Sequence, residues 1–308
     1  TGQIMPKLTI LYRSKFRAAA FVVEGVNLPE VQVVALKLKK DRLSYALYGI
    51  FLALRFYCLA YYFRYTYQTR NALKKSADRI LFWDCCYFEE YRMLNRMLGK
   101  EKSKKVFFWN PLSRWSNDGK YLKRQLEYLK SRNFAFFTFD PADAEKYTIS
   151  RIRNVNRKLP VQQNIKWDFY FIGAPKDRRL FIENLERLLQ AKGFSTNFKL
   201  VESKADYVSN YENINLSAQS KCIVDVMSPE QQGLTLRPFD ALFLEKKLIT
   251  NCAAVKKFDF YDPANIFVIE GEELNGLDEF MAVPYKKLDE TLVCRYEVNQ
   301  WLRENFLN

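Results

Sequence analysis

The chain has 308 residues, 48% hydrophobic and 27% charged, enough apolar material for two buried cores and too much for a low-complexity disordered chain. It contains no histidine, which removes histidine as general base, as metal ligand and as partner of a nucleophilic serine or cysteine. Its net charge of +14 is uneven, with 27 Lys and Arg against 13 Asp and Glu in residues 1–150 but 22 against 22 in residues 151–308, so the first half is the one that faces something anionic: a membrane, a charged lipid-linked substrate or nucleic acid.

Residues 7–12 (KLTILY) and 31–38 (VQVVALKL) are rich in β-branched residues and predict short strands. The stretch from Asp41 to Ala77 has no proline and predicts a mostly helical segment with Gly49 as its weak point. Strands are predicted at Arg79–Trp83, Lys105–Trp109 and Phe134–Phe139, with helices at Cys86–Leu98 and Lys120–Arg132. Residues 150–166 are polar and irregular and read as a linker, after which the alternation restarts. Strands follow at Trp167–Ile172, Phe198–Val201, Cys222–Met227, Leu248–Thr250 and Ile266–Ile269, with helices at Asp177–Lys192, Pro238–Lys247 and a closing Leu288–Phe306. That last helix carries Leu292, Trp301, Leu302 and Phe306 as apolar contacts and is expected to pack back across the domain boundary. The pattern predicts an α/β protein of two Rossmann-like domains, 1–150 and 151–308, facing a cleft at the carboxyl ends of their strands.

Six cysteines, Cys58, Cys85, Cys86, Cys222, Cys252 and Cys294, form neither a C-x-x-C pair nor a disulfide framework. A reducing cytoplasm is therefore expected, with no signal peptide at the start.

Two strand-to-helix loops carry candidate chemistry. In the first, Gly173 ends an apolar strand and allows a close backbone approach, and Lys176, Arg178 and Arg179 crowd the start of the next helix. Cations there oppose the helix dipole, which an anion would offset; an ordinary solvated first turn is the competing explanation. In the second, Gln231, Gln232, Gly233, Thr235 and Arg237 occupy the loop after Met227, and Pro238 suits a first helical position. Gly233 lets the backbone approach a diphosphate, Thr235 bonds phosphate oxygens, Arg237 grips them bidentately, and Asp240 accepts from ribose hydroxyls. Here the competing explanation pairs Arg237 with a nearby carboxylate.

The Gly233-x-x-x-Arg237-Pro238-x-Asp240 pattern, followed by Lys246-Lys-Leu-Ile-Thr250, resembles bacterial glycosyltransferases of the two-Rossmann (GT-B) type. The group most resembled is the CgeB-like one of lipopolysaccharide and capsule gene clusters. Phe171-Ile-Gly173 with Arg178-Arg179, Trp109-Asn110-Pro111, Phe139-Asp140 with Asp143-Ala144 and Tyr147, and Phe260-Tyr261-Asp262-Pro263 with Asn265-Ile266 also match, covering about residues 79–285. The acid on the donor helix is commonly Glu in that group and is Asp240 here. The resemblance implies a nucleotide-sugar donor bound mainly by the C-terminal domain and a glycan or lipid-linked acceptor bound mainly by the N-terminal one. It implies no metal and no cofactor, since helix N-termini and cations stabilise the leaving diphosphate. Without histidine, Asp84 and Glu89 are the candidate bases for an inverting transfer; Asp84 ends a strand, and a helix N-cap is its competing role.

Residues 43–63 are long enough to span a bilayer, but Arg55 sits near the centre, and Ser44, Tyr48, Arg55 and Tyr62 share one helical face. A core helix, a membrane-surface helix and a transmembrane span all remain open. A peripheral protein on the inner face of the cytoplasmic membrane is expected. The rivals are a basic nucleic-acid-binding protein, although no recognised module appears, and an inactive membrane-associated scaffold.

Overall fold

The computed structural model describes residues 5–227, 233–271 and 274–308. The chain divides into two compact units: one contains the residues up to Asn154 together with Val298–Asn308, and the other is Val155–Glu297.

The first unit runs β1 (Leu8–Tyr12), α1 (Arg17–Val23), β2 (Val31–Ala35), α2 (Arg42–Ala53), α3 (Tyr57–Arg64), α4 (Tyr67–Lys74), β3 (Arg79–Trp83), α5 (Phe88–Met97), β4 (Ser103–Phe108), α6 (Gly119–Lys130), β5 (Phe134–Thr138), α7 (Pro141–Tyr147) and β6 (Ser150–Arg151). The strands form one parallel sheet in the order β2-β1-β3-β4-β5-β6. Parallel strands need crossover helices, which cover both faces, so β1 is buried throughout and β3 from Ile80 onward. Strand order reverses between β1 and β3, where doubly wound sheets open their ligand crevice.

The Asp41–Ala77 stretch is helical, as expected, but in three pieces. The chain breaks at Leu54–Phe56, with Arg55 in the left-handed region at φ 61°. Among the described residues no helix is long and apolar enough to cross a membrane. The expected single polar stripe is split by the break: Ser44 is buried and Tyr48 half-buried against the core, whereas Arg55 at the break and Tyr62 in α3 are exposed. Leu43, Tyr45, Ile50 and Leu54 stand outward, exposed by 54–70%.

The second unit runs β7 (Trp167–Gly173), α8 (Arg179–Ala191), β8 (Thr196–Leu200), α9 (Asn210–Ala218), β9 (Ser220–Asp225), α10 (Arg237–Leu244), β10 (Lys247–Thr250), β11 (Ile266–Val268), α11 (Leu277–Ala282) and α12 (Glu290–Cys294). Its parallel sheet has the order β11-β10-β9-β7-β8, reversing between β7 and β9. Phe169, Phe171, Cys222 and Val224 pack against Ile182, Leu185 and Leu189 of α8, whose i, i+3, i+7 spacing places them on one face.

The end of the chain departs from the expected 151–308 domain. The predicted Leu288–Phe306 helix is broken into α12, α13 (Val298–Leu302) and a terminal π-type turn (Arg303–Leu307), and Val298–Asn308 belongs to the first unit. The reason is Trp301. Its ring packs 5.4 Å from that of Trp83 and 4.9 Å from that of Phe107, and its Nε1 donates to the Arg153 carbonyl at 2.9 Å. A buried indole needs both an apolar seat and an acceptor, and the first unit supplies them.

Candidate functional site

The β7/β9 reversal in the second unit brings together four of the residues singled out above: Gly173, Arg178, Thr235 and Arg237. Arg178, which follows β7, donates from Nη1 to the Val226 carbonyl just beyond β9. Arg237, which follows β9, donates from Nη2 to the Ile172 carbonyl in β7. Each arginine thus reaches across the switch point to the neighbouring strand's carboxyl end. Gly173 makes this possible: a Cβ there would stand 2.9 Å from Arg237 Nη2 and 3.6 Å from Arg178 Nη2. Arg237 also lies over the Phe171 ring, 5.2 Å from its centroid. Burial first, and then the neighbouring Arg237, holds the Arg178 guanidinium below its ordinary value.

The anchor of this arrangement, Asp225, is one the sequence reading missed. It is fully buried at the end of β9. Its Oδ1 accepts from the Thr235 hydroxyl at 2.8 Å and from Arg237 Nη1 at 3.3 Å, and its Oδ2 accepts from the Thr250 hydroxyl at 3.2 Å. The Arg237 amide donates to Thr235 Oγ1 at 3.2 Å, fixing the loop as α10 starts. The available signal was an Asp inside the apolar run Cys222–Met227, because a buried carboxylate is costly unless paired. Two guanidiniums around one carboxylate leave one positive charge in excess, facing the edge where doubly wound sheets take ligands.

The other predicted residues stand apart from this cluster to different degrees. Arg179 turns away, pairing with Glu183 at 3.1 Å and with Glu202 on the surface. Lys176 is exposed and left-handed at φ 45°, a strained conformation for a side-chain-bearing residue. Gly233 lies in the loop before α10, and Gln232 lies outside the described residues. Asp240 is buried in the first turn of α10, where Asn156 Nδ2 donates to its Oδ1 at 2.7 Å. Burial pushes its carboxyl up to about 7, against the pull of the Asn156 hydrogen bond and of Arg237.

In the first unit, Asp84 follows β3 at the β1/β3 reversal with φ 42°. It is buried, accepting from Asn110 Nδ2 at 2.6 Å and Trp115 Nε1 at 3.1 Å. It does not cap α5; Tyr87 holds that position, and its amide donates to Glu90 Oε2 at 3.3 Å. Glu89 lies half-exposed beside Arg92. Glu90 is the acid the sequence did not single out. Arg13 Nη2 contacts both of its oxygens at 2.5 Å, Arg64 Nε donates to Oε1 at 2.8 Å, and the Tyr65 hydroxyl donates to Oε1 at 3.3 Å.

No family model and no curated protein matches the chain. Its fold is similar to that of Anabaena Alr3699/HepE in complex with UDP and glucose, with a TM-score of 0.56 at 9% identity, covering 98% of this chain and 100% of that one. A glycosyltransferase from Rickettsia africae ESF-5 matches with a TM-score of 0.48 at 11% identity, covering 98% of this chain and 97% of that one. At 9% identity, what the chain shares with the Anabaena protein is the two-domain α/β fold over its whole length.

Proposed function

We propose that this chain is a glycosyltransferase that holds the diphosphate of a nucleotide-sugar donor at the β7/β9 switch point, between Arg178 and Arg237. The crossed arginines carry the reading: they are cations aimed at one sheet edge, bonded mainly to neutral carbonyls, with one carboxylate between them. Phosphate oxygens would replace those carbonyls as acceptors and gain charge-assisted bonds. The fold likeness to a protein solved with UDP and glucose supports the same reading.

As the sugar leaves, negative charge grows on the diphosphate, and fixed guanidiniums stabilise it without a metal ion or cofactor. Gly233 and Thr235 flank the phosphates, Asp240 serves the ribose, and Lys176 lends long-range positive field, whereas the charge of Arg179 is taken up by Glu183 and Glu202. Asp84 is the proposed base, oriented by Asn110 and Trp115. The acceptor is a lipid-linked surface glycan, met by the basic first unit at the inner face of a bacterial cytoplasmic membrane.

Calorimetric titration with UDP tests the donor site. A charge-assisted hydrogen bond contributes about 1.5–3 kcal/mol, so Arg178→Ala and Arg237→Ala should each weaken binding about ten- to a hundredfold. If both folded variants bind UDP as tightly as the parent, the assignment fails.

A further inference from the structure

A cavity of about 330 Å³ opens in the first unit between α3 and the C-terminal ends of α5 and α6. Helices of a parallel sheet end at the amino edge of the strands, so this cavity is on the opposite edge from Asp84. Arg92, Arg96, Lys100 and Arg132 line it, with Tyr57 and Tyr128. The guanidiniums of Arg92 and Arg132 lie on the Tyr128 ring, 4.2 and 3.5 Å from its centroid. Arg92 is also held by Gln125 at 2.5 Å and Glu89 at 3.2 Å, which makes this a fixed wall. Arg96 and Lys100 are exposed, and neither is ion-paired among the described residues. Helix dipoles favour cations at C-terminal ends, but that effect does not require four of them to converge on one concavity, where they repel one another.

Two further features identify the occupant. Asn95 is buried, lines the same cavity, and its Oδ1 has no hydrogen-bond partner. Buried acceptors are rarely left so, and a hydroxyl next to an anionic group would satisfy this one. Beside the cavity stands the hairpin of α2 and α3. Leu54 and Phe56 at its tip are 60% and 57% exposed, and Phe56 directly precedes Tyr57 of the cavity wall. From Arg42 to Ala77 there is no acidic residue. A soluble anion would need the basic cavity alone; a membrane surface accounts for both the cavity and the apolar tip.

We propose that this cavity receives the phosphate of an anionic, hydroxyl-bearing phospholipid headgroup while Leu54 and Phe56 lie in the lipid interface. The proposal deepens the membrane part of the reading above and is independent of the donor site. The test is flotation of the full chain at low salt with phosphatidylglycerol or phosphatidylcholine vesicles. The parent should bind only the former. Arg96→Glu/Lys100→Glu should reduce that binding about tenfold or more. Lys123→Glu/Arg124→Glu, an equal charge reversal on exposed positions of α6 outside the cavity, should reduce it far less. Phe56→Ser should also weaken it. UDP titration should be unchanged in all three variants, which separates failure here from failure of the donor site. Equal losses for the two charge reversals would reduce the effect to general electrostatics and overturn the proposal. So would vesicle binding that is absent or indifferent to headgroup. Glycerol phosphate binding that Arg96→Glu/Lys100→Glu abolishes, without vesicle binding, would assign the cavity to a soluble anion instead.

Discussion

Where strand order reverses, each sheet gathers two arginines and one carboxylate. Beside β1 and β3, Arg13 and Arg64 both bond Glu90 directly, and the three side chains are 2%, 10% and 1% exposed. Between β7 and β9, only Arg237 pairs with the carboxylate, at 3.3 Å, and both Arg178 and Arg237 spend bonds on backbone carbonyls. Arg237 is 19% exposed there, while Asp225 is fully buried. The formal charge is the same in both clusters. What differs is the partner: a carboxylate consumes a guanidinium's charge, while a carbonyl leaves it available to an incoming anion. The first cluster therefore holds α3 and α5 onto the sheet, and the second leaves guanidinium charge uncompensated, as the proposed donor site requires.

The largest expected effect falls on the closed cluster. Glu90→Gln would leave two buried guanidiniums without a counter-charge and should destabilise the protein by about 3–5 kcal/mol in urea unfolding. A loss under about 1 kcal/mol would mean that the cluster is not closed in solution, and the contrast would collapse.

The open cluster should show the reverse pattern. Arg237→Lys should keep the fold and recover only part of the UDP affinity lost in Arg237→Ala, since a point charge cannot reproduce the planar fork. Full recovery would reduce the site to simple charge attraction.

Asp240 sharpens the comparison through pH. Its folded-state carboxyl, at about 7, lies above the ordinary aspartate range, so the native state holds a proton that the unfolded chain releases near pH 4. This stability is fully present at low pH and is lost as pH rises from about 4 to 7, approaching 1.4 kcal/mol per pH unit. Asp240→Asn should flatten unfolding free energy over that window and stabilise the protein at pH 8 relative to the parent. An unchanged slope would show that the carboxyl is not held protonated.

The smallest effect belongs to Gly173→Ala. Its backbone is not left-handed, so the cost comes from the added methyl pushing Arg237 Nη2, the mobile end of a long side chain. Stability should change by less than about 1 kcal/mol. UDP affinity should fall severalfold by calorimetry, and unchanged affinity would show that Arg237 does not need its present position.

The amino-acid sequence alone determined the α/β alternation, because β-branched runs such as Val31–Ala35 and the 3.6-residue spacing of α8 are local signals. It also placed Gly173, Arg178 and Arg237 at strand-to-helix junctions: Gly173 closes β7, Arg178 immediately precedes α8 and Arg237 opens α10. Other features depended on tertiary packing. The break at Leu54–Phe56 carries no proline or glycine; it lets α3 turn back so that Arg64 meets Glu90. That the closing segment packs back across the domain boundary was legible in its apolar residues, but which part returns, Val298–Asn308, and onto what was not, because Trp301's partners lie at Trp83 and Phe107, about two hundred residues earlier. The roles of Glu90 and Asp225 escaped for a related reason, although the apolar run around Asp225 marked it as a buried acid. A carboxylate's role is set by which cations reach it after burial, and Arg13 and Glu90 are 77 positions apart. Periodicity acts between neighbours along the chain, whereas desolvation and charge pairing act between neighbours in space.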